Sequence, residues 1–184
     1  IAKHYDVEDK TDTRITLTAT TDEELVLRRT MDLGENPDRL RVQLEMRNAS
    51  DKPVSRLAKM HPEFYAQGEF FPEIYGKTEE GWVVLNESYE DEPPFAAGKF
   101  LNAEPYSGMA FFIAERDMGV AVEFQPLPES ELLWFYNTSP TTKQVNLELL
   151  PPPSALPPGG SITLEGIFYP IFERPHPIVE ASNE

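Results

Sequence analysis

A chain of 184 residues with 40% hydrophobic and 11% aromatic content is the size of one domain built around one core. Thirty-two Asp and Glu against 16 Lys and Arg leave a formal charge of −16, which repels phosphate backbones and anionic headgroups, so no nucleic acid and no membrane is expected as a partner. The lack of cysteine removes disulfides, thiolate chemistry and Cys-ligated metal, and no apolar run reaches the roughly 18 residues of a spanning helix. The chain opens on Ile1 and a polar strand, with no basic-then-apolar leader. Its compartment stays open, and a start at Ile predicts further sequence upstream.

Taken in order, the elements read as strands. Ile15, Leu17 and Ala19 alternate with threonines, and Leu25, Leu27, Arg29, Met31 and Leu33 predict the next strand. Gly34-Glu35-Asn36-Pro37-Asp38 reads as a hairpin turn. It leads into the clearest strand, where Leu40, Val42, Leu44 and Met46 alternate with Arg41, Gln43, Glu45 and Arg47. Val54 to Met60 is a short, less regular element entering a loop. Further strands are predicted at Trp82 to Leu85, Met109 to Glu115, Val120 to Phe124, Leu132 to Tyr136, Val145 to Leu149 and Ile162 to Tyr169, each bounded by Gly, Pro, Asn or Ser.

Met109 to Ala114 and Leu132 to Tyr136 are apolar without alternation, which predicts strands covered on both faces and therefore stacked sheets. The fold class is all-β, an antiparallel β-sandwich spanning 1–172 as one domain. A loosely ordered tail over 173–184 follows, with Pro175, Pro177 and a polar end.

The densest chemical stretch is His61-Pro62-Glu63-Phe64-Tyr65-Ala66-Gln67-Gly68-Glu69-Phe70-Phe71-Pro72-Glu73-Ile74-Tyr75. Aromatic faces stack on the C–H side of a pyranose, while carboxylates and an imidazole bond its hydroxyls. Equally, the rings can pin a long loop while the glutamates face solvent, and pattern alone ranks that reading first. Glu148, which interrupts the apolar run Val145 to Leu150, shares a face with Asn146 and Leu150. Held in a cleft it would serve as a general base; otherwise it is a solvated strand residue. Glu123 and Gln125 share a face of another strand, which a polar stripe toward water explains as well.

His4, His61 and His176 show no metal-ligand spacing. There is no phosphate-binding glycine loop and no nucleophile elbow. Three sites match the glycosylation acceptor pattern, at Asn48, Asn86 and Asn137, but so short a pattern recurs by chance.

Four pieces together resemble the later part of the galactose mutarotase-like supersandwich superfamily, which includes the aldose 1-epimerases. They are the strand Leu40 to Asn48 closing on an asparagine, His61-Pro62 with Phe64, Leu147-Glu148 with prolines downstream, and Leu156-Pro157-Pro158-Gly159 opening the final strand. The likeness runs from about Tyr5 to Tyr169. It begins where the middle of a full supersandwich would lie, so the arginine and second histidine of the family's first half have no counterpart. The family's Glu-x-Gln is absent at Glu148 and present at Glu123-Phe124-Gln125, which keeps Glu123 as a competitor for the key carboxylate.

The resemblance implies two functional readings. The first is a carbohydrate-binding or accessory domain of a larger carbohydrate-active protein, taking a mono- or oligosaccharide on Glu63, Phe64, Tyr65, Gln125 and Trp82 or Trp134. The second is mutarotation without metal or cofactor, with Glu148 as base and His61 as acid. A third expectation, independent of the family, is a structural or protein-binding sandwich using a Phe70-Phe71 patch.

Overall fold

The computed structural model describes residues 4–55, 57–66, 70–86, 97–139 and 142–178. Its strands are β1 (Asp6–Lys10), β2 (Arg14–Thr20), β3 (Leu25–Asp32), β4 (Leu40–Asn48), β5 (Glu63–Tyr65), β6 (Glu73–Lys77), β7 (Trp82–Val84), β8 (Gly98–Asn102), β9 (Gly108–Ile113), β10 (Met118–Phe124), β11 (Glu131–Ser139), β12 (Thr142–Leu150) and β13 (Ser161–Ile171). They form a nine-stranded sheet in the order β1-β2-β3-β4-β13-β10-β9-β6-β7 and a four-stranded sheet in the order β5-β12-β11-β8. Every paired strand among the described residues is antiparallel to its neighbour. The result is the expected β-sandwich.

The alternation of β4 decides how the sheets meet. Val42, Leu44 and Met46 are buried while Arg41 and Arg47 are exposed, and the register places Leu27 beside Met46 and Leu164 beside Leu44 on the same inner face. Against them the small sheet presents Leu132, Trp134 and Tyr136 from β11 and Val145, Leu147 and Leu149 from β12. Each such side chain contributes about 1.5–3 kcal/mol when fully buried, whereas an exposed ion pair contributes roughly 0–1 kcal/mol. The core, not the charged surface, therefore holds the sheets together. The Tyr136 hydroxyl donates to the Phe71 carbonyl at 2.6 Å, so this polar atom enters the core with its bond made.

β9 is buried at all six positions, as its unbroken apolar run predicts. Its second face packs Ala110 and Phe112 with Tyr75 and Ala121, flanked by Trp82, Tyr169 and Ile171. β11 departs from the same expectation: Leu132, Trp134 and Tyr136 are buried, but Leu133 and Phe135 are only half-buried on the outer face. The strand predicted over Met109 to Glu115 stops at Ile113, where Ala114–Arg116 turn into a 3-10 helix closed by Asp117 in the left-handed region at φ 46°. Val54 and Met60 make only isolated bridges, to Leu156 and Leu149. β5, β6 and β8 carry no clear apolar alternation, and the sequence pattern passed over them, while β1 falls where a polar strand was expected.

Thr16, expected on the wet face of β2, is fully buried, with its hydroxyl 3.3 Å from that of Thr30. Asn48 is also fully buried. Its side-chain nitrogen donates to the carbonyls of Lys52 at 2.7 Å and Leu156 at 2.8 Å, and its oxygen accepts from the Ser50 backbone. That asparagine ties β4 to the chain entering β13, its side-chain nitrogen already engaged by two carbonyls.

One expectation needs correction. Phe70 and Phe71 are not a surface patch: Phe71 is buried in the core and Phe70 packs edge-on against Tyr136. Past β13, residues 172–178 run back along β6 and β7. Arg174 bonds Glu73 and Tyr75, and the Ile178 backbone donates to the Trp82 carbonyl at 2.9 Å. Residues 179–184 lie outside the described part.

Candidate functional site on the small sheet

In β12 the apolar Val145, Leu147 and Leu149 face the core, so the period of two turns Gln144, Asn146 and Glu148 to the other face. The segment from Lys59 to Tyr65 runs antiparallel beside it. Met60 and Leu149 exchange backbone bonds at 3.1 and 2.9 Å, Leu147 donates to the Pro62 carbonyl at 3.1 Å, and β5 continues the pairing to Tyr65 opposite Gln144. An edge strand tolerates Pro62, which has no N–H to donate. With Met60 and Phe64 in the core, the same alternation places Lys59, His61, Glu63 and Tyr65 on the outer face beside the polar row of β12.

Glu148 is only 5% exposed. Its Oε1 lies 2.9 Å from His61 Nδ1 and also accepts a hydrogen bond from the Lys59 ammonium. An ionised carboxylate only accepts, so Nδ1 carries the proton in this contact. His61 Nε2 then faces Glu63, 3.7 Å from its Oε1, and Glu63 in turn accepts from the Tyr65 hydroxyl at 3.2 Å. Further along the row the Gln144 amide donates to Asn146 Oδ1 at 2.8 Å. Asn146 is 1% exposed, and its Nδ2 has no hydrogen-bond partner.

Apolar rings border this polar row. Phe135 stands opposite Asn146 and meets the His61 ring edge-on with centroids 6.0 Å apart. Phe100, 64% exposed, lies beyond Leu133 on β8, and Tyr65, 60% exposed, closes the other side. Carboxylate, imidazole, ammonium and amide groups among exposed rings can grip a neutral polyol by its hydroxyls and its C–H face.

The other sequence candidates fall elsewhere. Phe64 packs in the core, 5.1 Å from Phe111 between ring centroids. Trp134 is 3% exposed on the inner face of β11, with its indole nitrogen unpartnered. Trp82 lies on β7 at the far edge of the large sheet, and Gln125 is exposed just past the end of β10.

Glu123 occupies the outer face of the large sheet, on the opposite side of the sandwich from Glu148. There it accepts from Lys77 at 3.0 Å and from the Tyr169 hydroxyl at 3.0 Å, with Arg39 3.7 Å away. Partial burial pushes its carboxyl up, but the bonds from Lys77 and Tyr169 and the charges of Lys77 and Arg39 outweigh it and hold the group below the usual carboxylate value. Glu123 and Glu148 therefore belong to different clusters.

Lys59, Gln144, Phe135 and Phe100 were missed from sequence. The signal for Lys59 was present as Lys59-x-His61-x-Glu63-x-Tyr65, a polar period of two on either side of Pro62. Elsewhere, a depression of about 740 Å³ is lined by Asp22, Glu23, Glu24, Asp51 and their neighbours, but it has no aromatic wall. Among the described residues there is no group of three His, Asp or Glu side chains able to hold a metal, and no helix long and apolar enough to cross a membrane.

No protein-family model matches the chain, and no curated protein matches it in sequence. Solved structures do match it. A galactose mutarotase related enzyme from Lactobacillus acidophilus superposes with a TM-score of 0.60 at 13% identity, covering 96% of this chain and 72% of that one. A galactose mutarotase-like protein from Lactobacillus casei gives 0.60 at 16% identity, covering 90% and 72%.

The chain has the galactose mutarotase-like fold. An α-galactosidase from Lactobacillus brevis matches as well, with a TM-score of 0.57 at 11% identity over 92% of this chain and 25% of that protein. The chain thus spans about a quarter of the galactosidase and 72% of the two mutarotase-related chains.

Proposed function

We propose that this chain is a carbohydrate-binding or accessory β-sandwich domain of a carbohydrate-active protein, taking a mono- or oligosaccharide on the outer face of the small sheet. The observation that carries this reading is the buried Glu148 carboxylate bonded by His61 and Lys59 within a frame of Tyr65, Phe135 and Phe100. Carboxylates in such settings accept hydroxyl protons strongly, because charge-assisted bonds gain strength away from water. The proteins named above, which share the fold, support the same ligand class. The test is isothermal titration calorimetry with D-galactose, D-glucose, lactose and cellobiose on the wild type, Glu148→Gln and His61→Ala. Saturable binding lost in both variants supports the reading, and a folded wild type that binds none of them overturns it.

A second reading follows from the 2.9 Å approach of His61 to Glu148. In mutarotation Glu148 takes the proton of the anomeric hydroxyl while the His61 imidazolium protonates the ring oxygen. The C1–ring-oxygen bond breaks as the aldehyde forms, and reclosure on the other face returns both protons. The placement of Lys59 counts against it, since Glu148 Oε1 already meets both His61 Nδ1 and the Lys59 ammonium and has less room for an anomeric hydroxyl. Polarimetry on α-D-glucose and α-D-galactose separates the two readings: acceleration abolished by Glu148→Gln identifies the enzyme, and binding without acceleration identifies the binder.

A further inference from the structure

The geometry points to Asn146 as the residue that selects the ligand at this site, through a hydrogen bond from its Nδ2 to a hydroxyl oxygen that also donates to Glu148. The inference rests on the saccharide reading and names the contact that the reading leaves open. Asn146 is two residues from Glu148 on the same face of β12, so the two side chains are neighbours along the strand. Its Oδ1 is occupied by the Gln144 amide at 2.8 Å, while its Nδ2 is buried and without a partner.

Buried amide donors are seldom left unpaired, because desolvation without a replacement bond is costly. On the inner face the Trp134 indole nitrogen is also unpartnered, but it is surrounded by core side chains. Asn146 lies instead among polar groups: Gln144 and Glu148 along its strand, Glu63 across β5, and Phe135 across β11. A sugar hydroxyl is both donor and acceptor. One hydroxyl can therefore give its proton to the Glu148 carboxylate and receive one from Asn146, which a pure acceptor or a cation cannot do. Nδ2 has no exposed surface, so a ligand that takes its bond has to displace a neighbouring side chain; Glu63 pairs opposite Asn146.

The site also has a length. Gln144 and Glu148 are four residues apart in an extended strand, which separates the ends of the row by about 13 Å, longer than one pyranose ring. The central donor then reads the ring bound at Glu148, and the next ring runs toward Tyr65, which pairs with Gln144.

The experiment compares the wild type with the double variant Gln144→Leu/Asn146→Leu and with Asn146→Asp. Each is titrated with galactose, glucose, lactose and cellobiose, and then with the monodeoxy forms of whichever sugar binds. The double variant removes both partners of the amide bond and the orphan donor together, so its Tm should stay within about 2 °C of wild type or rise. Its affinity should fall roughly tenfold or more. One deoxy sugar should lose a larger factor against the wild type than against the double variant, because the bond to Asn146 is already gone in the variant and only the bond to Glu148 remains to be lost. Asn146→Asp keeps an acceptor for Gln144 and places a carboxylate where the donor stood, so it should also abolish binding.

Undiminished affinity in either variant overturns the role of Asn146 and leaves the saccharide reading in place. A fall in Tm of the double variant with affinity retained identifies a purely structural amide and overturns it equally. If the folded wild type binds none of the sugars, the saccharide reading itself fails and takes this inference with it.

Discussion

Glu123 and Glu148 look alike in the sequence, each a lone carboxylate in an apolar strand, and the fold places them on opposite outer faces of the sandwich. Around Glu123 every strong group is matched: Lys77 and the Tyr169 hydroxyl bond Oε1, Arg39 approaches Oε2, and the Arg39 guanidinium rests 4.5 Å above the Tyr169 ring. Around Glu148 the pairing is incomplete, because the neighbouring Asn146 keeps an unpartnered donor and the bordering rings Tyr65 and Phe100 stay exposed. A closed set of bonds stabilises a surface and leaves nothing for a ligand to satisfy. An open set next to exposed rings holds unmet hydrogen-bonding capacity, and there a ligand gains most.

The comparison can be broken by exchanging the charge on each side. Glu148→Gln should lower saccharide affinity about 100-fold or more, measured by calorimetry, while costing roughly 1–3 kcal/mol of stability as His61 and Lys59 lose the charge of their acceptor. An equal loss of binding in Glu123→Gln would dissolve the distinction between the faces. The expected result for Glu123→Gln is unchanged binding and a stability loss of about 1 kcal/mol in urea titration.

The pH dependence sharpens the same contrast. The Glu123 carboxyl is held below its ordinary 4.5, so its contribution to stability is complete above that pH and is lost as the pH falls below it, through the depressed folded value. Urea unfolding across the acid range should show this decline in the wild type and a shallower one in Glu123→Gln. Burial and the bond to Glu123 push the Tyr169 hydroxyl up to about 12 from 10. The folded state thus keeps a proton that the unfolded chain has released, and the associated stability is complete below pH 10 and lost as the pH rises through about 12. Tyr169→Phe should flatten that alkaline decline.

The smallest effect is expected at the tail. Arg174→Ala removes its bonds to Glu73 and Tyr75 and should cost about 0.5 kcal/mol. It should also speed proteolysis near Phe172 without changing saccharide affinity.

Alternation made the central strands of the fold legible. Leu40 to Met46, Val145 to Leu149 and Ile162 to Tyr169 each carry a core face that only a two-sheet packing can bury. β5 and β8 stayed hidden because Glu63-Phe64-Tyr65 and Gly98 to Asn102 are short edge strands, whose pairing is decided by the neighbour rather than by their own residues. Of the candidate site, His61, Glu63, Tyr65 and Glu148 were legible, as polar residues near prolines and aromatics, and the structure brings them together. Phe64 and Trp134 carried two readings in the sequence, packed ring and sugar platform, since an aromatic in a strand reads the same whichever way it points until the register is known.

By itself the sequence determined an acidic, cysteine-free, all-β chain with two apolar faces to stack, because composition and period act locally and need no partner. Only the tertiary structure decided that Lys59 and His61 converge on Glu148, 89 residues from Lys59 along the chain, and that Glu123 meets Lys77 and Tyr169 on the far side. Those choices depend on strand order and register, set by how the whole set of apolar faces is buried at once, and no short stretch of residues carries that information.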